Sequence, residues 1–229
     1  MSKIINLPKP RNLGWTLKRL ENAHLTMTLL SDGRTQYKIE HSKVRGVTAE
    51  MISWWYSVYA DLTLVIDGQV FPAFLISHPT DHISLKRETS TPNETLQPGD
   101  HIIMQECYNR EIDQMLNERL TVLSLENDFY TLQVSRAGMR VADIEFRFND
   151  CDSGVNFTSK LTVGVELGLL KSLINRIILP WLYFRNRRWE QSNAAWMQHT
   201  VEEIGNFENF LPEIFNRRHQ GLKIVWNRD

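Results

Sequence analysis

Two hydrophobic periods divide the chain. Up to residue 165, apolar residues recur at alternate positions in short runs. From Gly168 onward they recur every third or fourth position. The alternating part predicts strands over Gln36–Lys43, Leu62–Ile66, Val70–Ile76, His101–Tyr108, Leu120–Leu125, Asp128–Val134, Val141–Phe148 and Val155–Val165. Asp67-Gly68 is a hairpin turn signal, and Glu126-Asn127 and Asn149–Gly154 are polar connections. One helix interrupts the strands. Thr48 suits its N-cap, and Met51, Trp54, Trp55 and Tyr59 lie along it.

The second part predicts helix. Leu169, Leu173 and Ile177 are spaced by four before Pro180 interrupts. A longer helix opens at Asn193, a plausible N-cap, and runs to about Arg217. Its apolar stripe is Trp196, Val201, Ile204, Phe207 and Leu211, with a break or kink at Pro212 and a stop at Gly221. Leu222–Trp226 is a short apolar tail. Strands in series followed by helix make an α+β chain. The expected architecture is helix-grip (START/Bet v 1-like), an antiparallel sheet curled around a long C-terminal helix. Residues 1–229 read as one domain, with 1–35 as an N-terminal arm leading into a short strand or helix.

Composition narrows the classes. A chain of 229 residues with 42% hydrophobic and 10% aromatic content can hold a sizeable core or an apolar cavity. A net charge of −1 argues against nucleic acid or an anionic membrane as partner. The run from Leu167 to Phe184 is broken by Lys171, Asn175, Arg176 and Pro180, too often to span a bilayer. The start, Met-Ser-Lys-Ile-Ile-Asn-Leu-Pro, lacks a signal-peptide pattern. Cys107 and Cys151 do not form a disulfide framework, so a cytoplasmic setting is expected.

Candidate chemistry collects at three places. His199 and Glu203 are four apart on a helix, so both can reach one metal ion from one face. His78-Pro-Thr-Asp81-His82 puts two imidazoles and a carboxylate around a proline at a strand end. On the strand that follows, alternation places Glu106 on the buried face with Ile102, Met104 and Tyr108. A buried carboxylate needs an internal cation, either a basic side chain or a metal. Glu145, by contrast, alternates to the polar side of its strand. Trp54, Trp55, Tyr56 and Tyr59 form either ordinary core or the wall of a pocket for a flat ring. Arg185, Arg187 and Arg188 read as a solvated basic face.

Taken in order, several features resemble the zinc-dependent diacetylphloroglucinol hydrolases and their phloretin-hydrolase relatives. They are the Gly46-Val-Thr48…Met51…Trp54-Trp55 opening, His78-Pro-Thr-Asp-His82, the lone Glu106 and His199-x-x-x-Glu203, together spanning about residues 41–204. The resemblance implies a helix-grip fold and zinc held by His78, Glu106, His199 and Glu203. His82 competes with His78 for the first place. The histidine that does not ligate, and Asp81, would then act in catalysis or orient the ligands. The implied reaction is hydrolysis of the carbon–carbon bond between an acyl group and a phenolic ring by a zinc-activated water. Trp54, Trp55 and Tyr59 would contact the aromatic substrate, and a homodimer is possible. Two other readings stay open: a carrier for an apolar or aromatic molecule without catalysis, and an iron or manganese enzyme on the same scaffold.

Overall fold

The computed structural model describes residues 7–88, 95–136, 138–165, 173–175 and 188–228, with side chains from 193 onward in the last segment. Alternation became strands wherever one face could be buried. β1 (Ala23–Leu29), β2 (Thr35–His41) and β3 (Val44–Arg45) precede helix α1 (Ala49–Val58). β4 (Thr63–Ile66), β5 (Gln69–Pro72) and the one-turn helix α2 (Phe74–Ser77) lead into β6 (His82–Arg87) and β7 (His101–Cys107). β8 (Met115–Leu125), β9 (Phe129–Arg136), β10 (Met139–Cys151) and β11 (Gly154–Val163) form a meander. The long helix α3 (Arg188–Asn216) and β12 (Lys223–Trp226) close the chain.

The large sheet is antiparallel and runs β1-β2-β11-β10-β9-β8-β7-β6, with β3 on the end of β11. Its inner face and the apolar stripe of α3 enclose the core, with Ile204, Phe207, Phe210, Leu211 and Ile214 all buried. This is the expected helix-grip architecture. A second sheet, β12-β4-β5, lies apart from the first; β12 pairs parallel with β4, so the apolar tail is a strand. Thr48 caps α1, its hydroxyl accepting from the Met51 N–H at 3.2 Å. Asp67 and Gly68 take φ of 49° and 80°, the left-handed pair that a two-residue hairpin needs.

Four expectations need correction. The strand over Val70–Ile76 ends at Pro72, and Phe74–Ser77 turns helical, which brings the following histidines inward. The arm ends near residue 22, because Ala23–Leu29 is the edge strand of the main sheet. Asn193 lies inside α3 rather than capping it; its amide donates to the Tyr37 hydroxyl at 2.8 Å. Of the break or kink expected at Pro212, the break does not occur, because the helix continues through it to Asn216. The helical stretch around Leu169–Ile177 falls mostly outside the described residues, as do the side chains of Arg185, Arg187 and Arg188.

Candidate metal centre and cavity

Three elements bring four polar residues to one buried point. β6 begins with His82, β7 carries Glu106 directly opposite it in register, and α3 supplies His199 and Glu203 one turn apart. His82 is 0% exposed, and His199 and Glu106 are each 3% exposed. The Nε2 atoms of His82 and His199 are 3.3 Å apart. Glu106 Oε1 is 3.2 Å from the first and 3.7 Å from the second. Glu203 faces His199 with Oε2 at 3.8 Å and His82 with Oε1 at 3.9 Å. Ligand bonds of about 2.0–2.2 Å place neighbouring donors of a tetrahedral zinc about 3.3–3.6 Å apart. The residues therefore fit such an ion with small adjustments, and their nitrogen and carboxylate donors suit it.

Partners on the far side of each ring decide which nitrogen faces inward. His82 Nδ1 donates to the Phe74 carbonyl at 2.6 Å, so the neutral ring leaves Nε2 bare. His199 Nδ1 donates to Asp81 Oδ2 at 3.1 Å, so once that ring gives up its second proton its Nε2 is bare as well. Asp81 is thus a group that orients His199, a common support for a ligating histidine.

His78 behaves differently. Its Nδ1 accepts from the Asp81 N–H at 3.1 Å and sits 3.2 Å from the Thr80 hydroxyl. Its Nε2 therefore carries the proton and donates to Glu202 Oε2 at 2.9 Å. Its lone pair is used, and it stacks on His199 at 4.3 Å rather than joining the four donors. The place first given to His78 belongs by this geometry to His82. His78, Asp81 and His199 do bring donor atoms near one another on the outer side of His199.

Electrostatics follow from this crowding. Burial opposes a charge on His199, but Glu106, the Asp81 hydrogen bond and Glu203 outweigh it and hold the imidazolium up to about pH 9. Burial likewise raises Glu106, yet His199, His82 and Tyr108 bring it down to about 2. Burial and then the neighbouring His199 push His78 down to about 4, against the pull of Glu202. Without an ion, the His199 proton is the counter-charge that Glu106 requires; a bound cation would take over that role.

Beside these donors lies a cavity of about 190 Å³. Its walls come from β7–β11, α1, α2 and α3, and Glu106, His199 and Glu203 line it. A dry cavity of about 150 Å³ already admits benzene, so this one can hold an aromatic ring with a small substituent. Tyr59 is in the wall as expected, but Trp54 and Trp55 are not. Trp55 is fully buried against Phe210 at 4.9 Å, and Trp54 meets Phe215 edge-on at 5.5 Å. They face the far side of α1, toward the later turns of α3. Trp196, Tyr56, Tyr108, Tyr130 and Phe74 line the cavity instead. Tyr108 was legible from the alternation, two residues beyond Glu106; it lies just past the end of β7 and hydrogen-bonds to Glu106. Tyr130 gave no such signal.

The N-terminal arm holds the histidine turn from outside. The Arg11 guanidinium donates to the carbonyls of Pro79 and His82 at 3.1 Å each and of Leu75 at 3.4 Å. Arg110 donates to the Thr80 carbonyl at 3.1 Å and to the Pro8 carbonyl at 2.7 Å. Glu145 points outward, paired with Lys160 and Arg147, as its strand position predicted. Among the described residues, no helix is long and apolar enough to cross a membrane.

No family model matches the chain, and no curated protein matches it. Solved structures do resemble it. Protein Ms6760 from Mycobacterium smegmatis is 9% identical, with a TM-score of 0.48 over 83% of this chain and 98% of its own. Ara h 8.0201 is 8% identical, with a TM-score of 0.49 over 79% of this chain and 99% of its own. The di-domain ARO/CYC BexL from the BE-7585A biosynthetic pathway is 9% identical, with a TM-score of 0.48 over 78% of this chain and 50% of its own.

Proposed function

We propose that this protein is a zinc-dependent hydrolase that cleaves the carbon–carbon bond between an acyl group and a phenolic ring. The observation that carries the reading is the four donors, His82, Glu106, His199 and Glu203, aimed at one point beside a ring-sized cavity. When bound there, zinc lowers the pKa of a water toward neutrality and polarises a carbonyl. The chain does the rest. The apolar wall seats the ring and excludes bulk water. Asp81 and the Phe74 carbonyl fix the two imidazoles, and Tyr108 steadies Glu106. In balance, the acyl carbon gains the hydroxyl of one water and the ring carbon gains a proton, giving a carboxylic acid and the free phenol.

One observation favours a second reading, a carrier for an apolar or aromatic molecule. The protonated His199 already gives Glu106 a buried counter-charge without an ion. Elemental analysis of untagged protein separates the two. The hydrolase should carry about one zinc per chain, lose it in Glu106→Ala and keep it in Glu145→Ala. Mono- and diacylated di- and trihydroxybenzenes should then yield acid and deacylated phenol by chromatography. Metal far below one per chain, with no gain on adding zinc, leaves the carrier. Iron or manganese in its place would keep the centre and reassign the chemistry.

A further inference from the structure

Arginines in this protein mostly lie against carboxylates, as Arg34, Arg87, Arg119, Arg147, Arg217 and Arg228 do. Arg11 and Arg110 differ. The Arg11 side chain donates only to the carbonyls of Leu75, Pro79 and His82, always through Nη1. The Arg110 side chain donates only to the carbonyls of Thr80 and Pro8, through Nη1 and Nη2. Among the described residues, neither guanidinium has a carboxylate at ion-pair distance. Glu111, next along from Arg110, is exposed and pairs with neither. The first six residues of the sequence hold no Asp or Glu.

The two cations flank one turn. Arg11 holds the Pro79 carbonyl and Arg110 that of Thr80, the next residue along. Arg110 also reaches Pro8, so the arm, the turn and the loop after β7 meet here. Burial, and then the charge of Arg110, make Arg11 release its proton more readily than an ordinary arginine, so the two charges feel each other. Carbonyl dipoles satisfy N–H groups, but they carry no net charge to cancel two cations. Asn109 and Arg110 both hold left-handed backbone, with φ of 52° and 58°. Such strain in non-glycine residues collects at binding sites. Donors also remain. Arg11 keeps Nε and Nη2, the edge that grips two oxygens at once, and Arg110 keeps Nε. Both residues are half-buried, and none of these nitrogens is sealed from solvent.

We infer that Arg11 and Arg110 form a binding site for a phosphate dianion, free or carried on a small phosphate ester. Two cations without an internal anion match two negative charges, and the open edge of Arg11 matches a pair of phosphate oxygens. Neither arginine lines the cavity, so the site is on the outer side of the turn that carries His78 and His82. A phosphate there ties the arm to that turn. The inference depends on neither the zinc nor the aromatic ligand.

The test is calorimetry of the full chain at constant ionic strength, with inorganic phosphate, glycerol 3-phosphate and acetate as probes. Phosphate should bind the wild type about tenfold or more tighter than acetate, because the dianion engages both guanidiniums and the monoanion one. Arg11→Lys and Arg110→Lys keep the charge but lose the planar fork, and each should weaken phosphate about tenfold. The Arg11→Gln/Arg110→Gln double variant should bind none. Phosphate should raise the wild-type Tm, and that rise should vanish in the double variant. If the double variant fails to fold, the two lysine variants decide. Glycerol 3-phosphate binding more tightly than inorganic phosphate supports the site with an ester as occupant, and equal or weaker binding supports it with the free ion. Phosphate that binds no tighter than acetate overturns the site. So does phosphate affinity unchanged in both lysine variants, which would put the ion elsewhere, such as against the four donors.

Discussion

His78 and His82 stand at the two ends of one short turn, equally buried and four residues apart, yet they have opposite fates. His82 gives its Nδ1 proton to the Phe74 carbonyl and turns a bare nitrogen toward Glu106 and His199. His78 receives the Asp81 amide at Nδ1 and spends its other nitrogen on Glu202. Burial and residue type are the same at both ends. What differs is one backbone group, a carbonyl against an N–H, and that choice fixes the tautomer and hence which ring can ligate.

The strongest way to break this contrast is to remove each ring in turn. His82→Ala should weaken zinc binding by well over about 100-fold. His78→Ala should cost about 10–100-fold, the range for groups that only support a ligand. Chelator competition measures both; equal losses, or the reverse order, would return His78 to the ligand set.

Acid sharpens the contrast in the metal-free protein. The folded His78 titrates near 4, below an ordinary histidine near 6.5. Between those values the unfolded chain binds a proton that the folded chain refuses. Its contribution is therefore intact above about pH 6.5 and lost as pH falls toward 4. Urea midpoints taken from pH 7 to pH 4 should fall less in His78→Gln than in wild type. The difference should reach about 3 kcal/mol, and parallel curves would mean that His78 is charged when folded.

The smallest effect concerns the turn as a unit. Arg11→Ala removes the clamp on the carbonyls of Leu75, Pro79 and His82, and should weaken zinc binding about tenfold. Arg11→Lys should recover part of the loss. The visible spectrum of the cobalt-substituted protein should shift in Arg11→Ala if ligand geometry is disturbed; an unchanged spectrum and affinity would make the arm mere packing.

Much of the site could be read from periodicity. Glu106 faces inward because strands alternate, and Ile102 fixed the phase. His199 and Glu203 share a face because helices repeat every 3.6 residues. The meander was legible because its inner face meets apolar residues of α1 and α3. What escaped depends on backbone atoms, which every residue carries alike. The choice between His78 and His82 is of that kind. So is the turn of Phe74–Ser77 into helix, where a run of apolar residues fits either structure and Pro72 decides. The tryptophans misled because α1 buries two faces, one against Phe210 and Phe215 and one against the cavity. Large aromatics satisfy either.

The four donors also set an order of events. His82 and Glu106 face each other across one hairpin, a local pairing that closes early. His199 and Glu203 are more than ninety residues further along and arrive only when α3 docks against the finished sheet. During synthesis the emerging chain thus displays half a site for most of its length, too sparse to trap an ion tightly. A metal at this point would act as the last clasp of folding rather than its nucleus. It should slow unfolding far more than it speeds folding, so metal loaded onto the finished protein would lengthen its lifetime with little help to its birth.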